Sequence, residues 1–236
     1  MSLNNLINHF YHNKFLSQLF HTVVYCLQKE LEDCESVLDI GCGPSSPLQY
    51  CKNIKYSVGV EPFKPYLEKS KKKKIHTKYI NKRIEELDFP ENSFDAVIMI
   101  EVLEHLPKKV GYEILKKAQK WARKKVIVST PNGYLPQKSI DRNPLQTHRS
   151  GWAVEEMKNL SYKAYGMAGW KFLRRENISE KVSQEGDIFA TIRFRPKSFW
   201  LITSELTQAV VYYFPTLAFE VFYVSNLEKT NSVKSC

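Results

Sequence analysis

Four residues near the start of the chain have the types and spacing of a ligand-binding site. Gly41 and Gly43 directly follow an apolar run that begins at Val37, and Asp39 lies within that run. Glycines after a buried strand let the backbone turn tightly and let a ligand approach the main chain. Glu61 ends a second apolar run, twenty residues after Gly41, where a carboxylate can accept hydrogen bonds from both ribose hydroxyls. The pattern predicts a site for a cofactor that contains ribose.

The loop after the first strand differs from that of a dinucleotide site. Such a site has a third glycine where this chain has Ser46, and Pro44 and Pro47 lie nearby. The loop is therefore less suited to placing a pyrophosphate at a helix N-terminus. Asp39 favours a ligand with a cationic amino group over one with phosphates. An NAD-dependent small-molecule oxidoreductase remains an alternative.

Three segments carry a resemblance to a known family. V-L-D-I-G-C-G-P (37–44) resembles motif I of the class I S-adenosylmethionine-dependent methyltransferases, of the small-molecule type with a methyltransferase-11-like domain. F-D-A-V-I-M-I-E-V-L-E-H-L (94–106) and V-I-V-S-T-P-N-G (126–133) resemble the fourth and fifth strands of that family with their loops. The resemblance implies S-adenosyl-L-methionine as the cofactor and a methyltransferase activity. It implies the following cofactor-binding residues: Asp39, Gly41, Cys42, Gly43, Glu61, Pro62, Arg83, Ile84, Glu85, Ile100 and Glu101.

One segment departs from the family pattern. K-R-I-E-E-L-D-F-P (82–90) resembles the segment that closes over adenine, but Arg83 replaces the acid that often contacts the adenine amino group. Ile84 is therefore predicted to contact the adenine through its backbone and its apolar side chain. Glu85 either substitutes for the missing acid or is simply exposed.

The elements that must position these residues predict an α/β fold. The resemblance implies a doubly wound, mostly parallel sheet of seven strands, a Rossmann-like methyltransferase fold with N-terminal helices and an insertion before the last strand. We interpret residues 1–236 as a single domain, with a helical cap (1–33), a cofactor-binding core (34–170) and a last part (171–236). Apolar spacing in the cap predicts two helices with a break near His12 and Asn13, so that His9, Tyr11 and His12 either face the site or are exposed.

The loop after the fifth strand is predicted to supply the acceptor side. It runs from Thr130 to Trp152, which is long for a compact connection, and it begins at the edge of the sheet where ligands bind. His148 on this loop is the candidate general base for a hydroxyl acceptor, because a free imidazole titrates near neutrality. His105 is the second catalytic candidate, with a pocket-lining or structural role as its alternative, and Asp141 follows. No metal site is predicted, since the cysteines have no metal-ligand spacing.

The formal charge of +10 is compatible with nucleic acid, an anionic membrane surface or acidic substrates. An RNA methyltransferase remains an alternative, but nucleic acid is not the expected partner, because the chain lacks both an N/D/S-P-P-aromatic motif and a Pro-Cys nucleophile. In the last part, Arg174, Arg175, Arg193 and Arg195 accompany an apolar helix (Ser198–Phe214) and a last, antiparallel strand (Ala218–Val224). That combination predicts either an anionic, lipid-linked acceptor met at a membrane surface or a helix that packs on the sheet.

The cysteines and the apolar segments predict a cytoplasmic protein, with peripheral membrane contact left open. Five cysteines form no C-x-x-C pair, which is typical of reduced thiols. No signal peptide is visible, and the longest apolar stretch (Ala209–Val224) is too short to span a bilayer. The predicted function is a methyltransferase that acts on a small-molecule, sugar-like or lipid-linked acceptor at oxygen. The oligomeric state is not predicted.

Overall fold

The computed structural model describes residues 18, 20–139, 141–175 and 191–227. Its sheet has seven strands in the order β3-β2-β1-β4-β5-β7-β6. The strands are β1 (Ser36–Ile40), β2 (Tyr56–Val60), β3 (Lys78–Ile80), β4 (Phe94–Ile100), β5 (Ala122–Pro131), β6 (Lys163–Trp170) and β7 (Ala218–Asn226). β1 to β5 pair in parallel, whereas β7 is antiparallel to both β5 and β6. This arrangement confirms the predicted mostly parallel sheet with an antiparallel last strand.

The described helices cover both faces of the sheet. They are α1 (Val23–Glu30), α2 (Lys64–Lys73), α3 (Lys108–Trp121), α4 (Val154–Asn159) and α5 (Lys197–Val211). Because successive strand residues point to opposite faces, Leu38 packs in one buried cluster with residues of α3, and Val37 packs in a second cluster with residues of α1. The sheet is therefore doubly wound, and its central strands are apolar on both sides. Within the described residues, no helix is long and apolar enough to cross a membrane.

The cap helix α1 begins later than the apolar spacing suggests. His21 has a positive φ of 48°, and the hydroxyl of Thr22 accepts a hydrogen bond from the amide of Tyr25, which caps the helix. The His21 ring stacks on Tyr212 with ring centroids 3.9 Å apart. The turn thus lies at residues 20–22, which apolar spacing alone did not indicate. The predicted break at residues 12–13, together with positions 9 and 11, lies outside the described residues.

The insertion before the last strand packs α5 on the sheet. The side-chain amide of Gln208 accepts from the Gly169 amide at 3.0 Å and donates to the Gly166 carbonyl at 3.0 Å. Arg174, predicted as part of a basic binding segment, is instead only 7% exposed and forms an ion pair with Glu205 at 3.0 Å. Its guanidinium also donates to the hydroxyl of Ser204 at 2.9 Å. Arg174 therefore joins the insertion to α5, because a buried guanidinium requires a full set of acceptors.

Four large apolar side chains of α5 remain more than half exposed on the opposite side of the helix. They are Phe199, Ile202, Leu206 and Val210. Their spacing of three or four residues places them on one face. This helix therefore has one face packed on β6 and one apolar face open to solvent.

Candidate functional site

The glycine loop after β1 has the backbone geometry that its sequence predicts. Gly41 and Gly43 have φ values of +71° and +56°, a region that favours glycine. The amides of Gly41 and Cys42 donate to the Val60 carbonyl at 2.8 and 3.0 Å, which ties the loop to β2. A Cβ on Gly41 would lie 2.6 Å from a methyl group of Val102, whereas a Cβ on Gly43 would meet no atom closer than 4.0 Å. Gly43 thus borders open space.

The Glu61 carboxylate is held by the backbone on two sides. Its Oε2 accepts from the Gly43 amide at 3.1 Å, and its Oε1 accepts from the Phe63 amide at 2.8 Å. Burial raises the pKa of Glu61, and these two hydrogen bonds oppose the rise. Each carboxylate oxygen has a further lone pair, so the fixed carboxylate can still accept from ribose hydroxyls.

A cleft opens beyond the carboxyl ends of β1, β2 and β4. The predicted residues that line it are Gly41, Glu61, Pro62, Arg83, Ile84, Glu85, Glu101 and His105. The predicted residues outside its lining are Asp39, Cys42, Gly43, Ile100 and His148. The structure therefore brings together most of the predicted cofactor residues, at the sheet edge where open α/β folds bind ligands.

Asp39 lies beneath the glycine loop rather than on the cleft. Its Oδ2 accepts from the Ser46 hydroxyl at 2.5 Å and lies 3.5 Å from Nε2 of the buried His76. Burial raises the pKa of Asp39 to about 7 and lowers that of His76 to about 4. His76 is thus neutral at neutral pH, and the contact is not an ion pair. Asp39 supports the loop from below, and its contact with a cationic amino group stays a prediction.

The segment expected to cover adenine presents one buried side chain to the cleft. Ile84 is 7% exposed and lines the cleft. Arg83 and Glu85 are exposed and lie 3.7 Å apart as a surface ion pair. An apolar contact from Ile84 is therefore compatible with this geometry, and the adenine role stays a prediction.

The carboxyl end of β4 carries two enclosed glutamates. Glu101 has a positive φ of 54°, a strained conformation that is common at functional sites, and its Oε1 accepts from the Ser129 hydroxyl at 2.6 Å. Glu104 follows in a short 3-10 helix (Leu103–His105) and is 1% exposed. Burial and the nearby Glu104 raise the pKa of Glu101 well above its usual range, and burial raises that of Glu104 to about 8.

The two candidate catalytic histidines lie side by side, with ring centroids 4.8 Å apart. His105 lines the cleft, whereas His148 is 7% exposed and does not. Nδ1 of His148 lies 2.5 Å from the carbonyl oxygen of Leu135, so Nδ1 is assigned the proton and Nε2 keeps its lone pair. Burial lowers the pKa of both rings, to about 4 for His105. Direct contact between His148 and an acceptor is therefore less favoured by the structure than the sequence suggested.

The long loop after β5 is anchored against the 3-10 helix. The Glu104 carbonyl accepts from the amides of Arg149 and Ser150 at 2.7 and 3.1 Å. The hydroxyl of Ser150 donates to the Leu103 carbonyl at 3.0 Å. Trp152 is fully buried where the loop ends. These contacts place His148 beside His105.

Asn143 is a site residue that sequence reasoning did not single out. It is 1% exposed and lines the cleft, and its Oδ1 accepts from the Leu145 amide at 3.1 Å. Its Nδ2 has no hydrogen-bond partner within the described residues. An Asn-Pro pair signals a turn, but only the fold places this amide in the cleft. Asp141 nearby accepts from the Tyr66 hydroxyl at 2.8 Å.

Comparisons with known proteins agree with this geometry. The methyltransferase-11 family model, a methyltransferase domain, matches residues 38–129. A SAM dependent methyltransferase from Archaeoglobus fulgidus is 17% identical over 91% of this chain and 99% of that chain, with a TM-score of 0.51. The methyltransferase domain of bacterial CtHen1-CN is 16% identical over 89% and 100%, with a TM-score of 0.53. The plantazolicin methyltransferase BpumL, solved with a pentazolic desmethylPZN analog and SAH, is 14% identical over 94% and 88%, with a TM-score of 0.50. No curated protein matches the chain.

Proposed function

Since the chain is a class I S-adenosylmethionine-dependent methyltransferase, we propose that it methylates an oxygen atom of a small, sugar-like or lipid-linked acceptor. The cofactor is S-adenosylmethionine, so the NAD-dependent alternative falls away. Methyl transfer from a sulfonium is an in-line displacement with a good leaving group. The protein's main task is therefore to hold the acceptor and the methyl group in line and to exclude water.

One observation carries the proposal: cofactor residues and acceptor-loop residues line the same cleft. Gly41 and Glu61 contribute one part of its lining, and Asn143, Gln146 and Arg149 of the long loop contribute another. The buried Asn143 Nδ2 has no partner among the described residues, and leaving such a donor unpaired is costly. A hydroxyl or carbonyl oxygen of the acceptor would pair with it.

The groups beside the cleft favour oxygen as the methylated atom. A hydroxyl must lose its proton as the methyl group arrives, whereas a thiol or carboxylate acceptor needs much less help. Glu101 and His105 line the cleft, and Glu104 and His148 lie behind them. Carboxyl and imidazole groups are the side chains that accept a proton from a hydroxyl.

The exposed face of α5 supports a lipid-linked acceptor. Phe199, Ile202, Leu206 and Val210 are apolar and more than half exposed. Lys197 begins the same helix and the chain carries a formal charge of +10. An apolar helix face with basic neighbours binds anionic membrane surfaces. The protein would then meet its acceptor at such a surface.

RNA is the competing acceptor class, because Lys82, Arg83 and Arg149 also line the cleft and basic side chains attract phosphates. A transfer assay with S-adenosyl-[methyl-³H]methionine separates the two. Purified protein is incubated with the water-soluble metabolites, the lipids and the total RNA of a cell extract, each as a separate fraction. Gly43→Val serves as the matched control, since its side chain would block the cofactor loop.

We expect label in the metabolite or lipid fraction with the wild-type protein and none with the variant. Mass spectrometry and NMR of the product should then locate the methyl group on oxygen. Label confined to ribonuclease-sensitive material, or a methyl group on nitrogen, sulfur or carbon, would overturn the proposal.

A further inference from the structure

We infer that Glu104, His105 and His148 form a binding site for a divalent transition-metal ion at the inner side of the cleft. Each residue offers one ligand atom, and these atoms all lie within 4.8 Å of one another. The third ligand follows the second by 43 positions in the chain. The fold, through the anchored loop, brings it to the pair.

Glu104 supplies an independent sign that something is missing from this cluster. The side chain is 1% exposed, and neither carboxylate oxygen has a hydrogen-bond partner of ordinary geometry within the described residues, although the side chains of Glu101 and Thr130 lie close enough to lower its pKa. The basic side chain beside it is His105, whose Nε2 lies 3.9 Å from Oε1. Isolated buried carboxylates are costly, and buried charges are usually paired or bound to metals. A divalent cation would supply the counter-charge.

Glu101 adds to the excess of negative charge. It lines the cleft next to Glu104, accepts a hydrogen bond from the Ser129 hydroxyl and forms a side-chain hydrogen bond with Glu104. Neither glutamate lies within ion-pair distance of a described lysine or arginine. The competing explanation is that Glu101 and Glu104 share a proton, which would need no metal.

His148 is oriented as a metal ligand would be. Its Nδ1 is bonded to the Leu135 carbonyl at 2.5 Å, and its backbone amide donates to the Gln137 carbonyl at 3.1 Å. Metal-binding histidines almost always donate the second ring N–H in this way, which fixes the tautomer and the direction of the other lone pair. The Nδ1 contact thus leaves Nε2 as the ligand atom.

The dimensions and donor types define the class of ion. Metal–ligand bonds to nitrogen and oxygen are about 2.0–2.2 Å, so opposite ligands of one ion lie about 4 Å apart. A cluster whose ligand atoms lie within 4.8 Å needs only small side-chain rotations to close. Two imidazoles with a carboxylate suit Mn²⁺, Fe²⁺, Co²⁺ or Zn²⁺ rather than Mg²⁺, which prefers oxygen ligands.

Such an ion deepens the proposed function, on which its chemical role rests. His105 lines the cleft, so an ion bound there could also bind the acceptor hydroxyl and lower its pKa. The hydroxyl proton passes to water, the oxygen forms a bond to the methyl carbon, and the carbon–sulfur bond breaks with its electron pair on sulfur. The products are the methyl ether and S-adenosylhomocysteine.

Metal binding can be measured without any acceptor. Chelator-stripped protein is titrated with Mn²⁺, and the free ion is followed by electron paramagnetic resonance. Co²⁺ is then added to separate samples, and its visible absorption reports the ligand set. Glu104→Gln keeps the side-chain size and removes the charge, His148→Gln removes an imidazole, and His21→Gln is the matched control outside the cluster. Binding of S-adenosylhomocysteine by each variant verifies that its fold is intact.

We expect one Mn²⁺ per wild-type chain, at least tenfold weaker binding by Glu104→Gln and His148→Gln, and unchanged binding by His21→Gln. Wild-type protein that binds neither ion saturably up to 1 mM would overturn the inference and favour a shared proton. Variants of the cluster that bind Mn²⁺ as tightly as wild type would overturn it as well. Because the readout is the ion itself, a failure of oxygen methylation leaves this result unaffected.

Discussion

Substitution of Gly43 by alanine should weaken cofactor binding far more than it weakens the fold. The Gly43 φ is +56°, and a Cβ there would meet no protein atom closer than 4.0 Å. The cost to the free energy of unfolding is therefore only that of a left-handed alanine, about 1–2 kcal/mol. For a chain of this size that corresponds to a fall in Tm of about 2–8 °C. The same Cβ occupies space through which the cofactor approaches the backbone.

Gly133 offers a matched control for the backbone strain. Its φ is +86°, and a Cβ there would have only Nζ of Lys171 nearby, at 3.7 Å. Neither glycine lines the cleft itself, but the Gly43 amide donates to Glu61, which does line it, whereas the Gly133 amide donates to the Trp152 carbonyl. Gly133→Ala should therefore lower Tm by a similar amount and leave cofactor affinity unchanged. The difference in cofactor affinity between Gly43→Ala and Gly133→Ala therefore measures how far a Cβ at position 43 obstructs the ligand.

The assay is calorimetric titration with S-adenosylhomocysteine, combined with thermal unfolding of the free proteins. We expect at least a tenfold increase in Kd for Gly43→Ala, about 1.4 kcal/mol, and less than a twofold change for Gly133→Ala. Equal affinities for Gly43→Ala and wild type would refute the assignment of this loop as the cofactor contact. Equal losses of affinity in Gly43→Ala and Gly133→Ala would instead attribute the effect to strain of the left-handed backbone.

Four further predictions follow from single contacts. Glu61→Ala removes the acceptor for the Gly43 amide and for ribose, so affinity for S-adenosylhomocysteine should fall by about 1–3 kcal/mol; wild-type affinity in the titration would contradict the ribose role. Burial raises the pKa of Asp39 to about 7, so the native state binds more protons than the unfolded state from about pH 4 to pH 7 and stability falls as pH rises through that window. In wild type this fall is at most about 4 kcal/mol, and Asp39→Asn should lack it. Urea unfolding at pH 5 and pH 8 would disprove this if the variant lost as much stability between the two pH values as wild type does. Arg174→Met should lower the free energy of unfolding by about 2–3 kcal/mol, less than for a fully buried pair because Glu205 is 30% exposed; an unchanged urea midpoint would show that the contact contributes nothing. Leu206→Asp should reduce co-sedimentation with anionic vesicles at low salt, and equal wild-type recovery with neutral and anionic vesicles would exclude electrostatic docking.

The cofactor half of the site was predictable because its signals are local. Gly41, Gly43 and Glu61 each lie within three residues of the end of a buried strand. A buried parallel strand followed by glycine constrains the backbone within a few residues. The same reasoning predicted the antiparallel last strand and the insertion before it.

The geometry of the long loop after β5, the proposed acceptor side, was less predictable because it depends on contacts between distant segments. The position of His148 is set by its contact with the Leu135 carbonyl and by the hydrogen bonds that the Glu104 carbonyl accepts from the amides of Arg149 and Ser150. Asp39 contacts the hydroxyl of Ser46, seven residues away, and the imidazole of His76, which lies in the connection between α2 and β3. Periodicity reports which face a residue occupies, but it does not report which polar atom it meets there.

The interior position of Arg174 has the same origin. A charged residue in a basic segment is usually exposed, and only the docking of α5 supplies the hydroxyl and carboxylate that receive this guanidinium. Composition therefore overstated the basic surface of the insertion. The remaining described arginines of that segment keep the surface positions that charge alone predicts.

The bifurcated hydrogen bond at the Glu104 carbonyl has an evolutionary consequence. Two successive amides, those of Arg149 and Ser150, attach the end of the loop to a main-chain carbonyl, and the Ser150 hydroxyl adds one side-chain contact. Loop side chains that make no such contact, unlike Asp141 with Tyr66, can therefore change without detaching this end. Descendants of one ancestral enzyme could acquire new acceptors by altering such side chains alone, while the point of attachment stays in place.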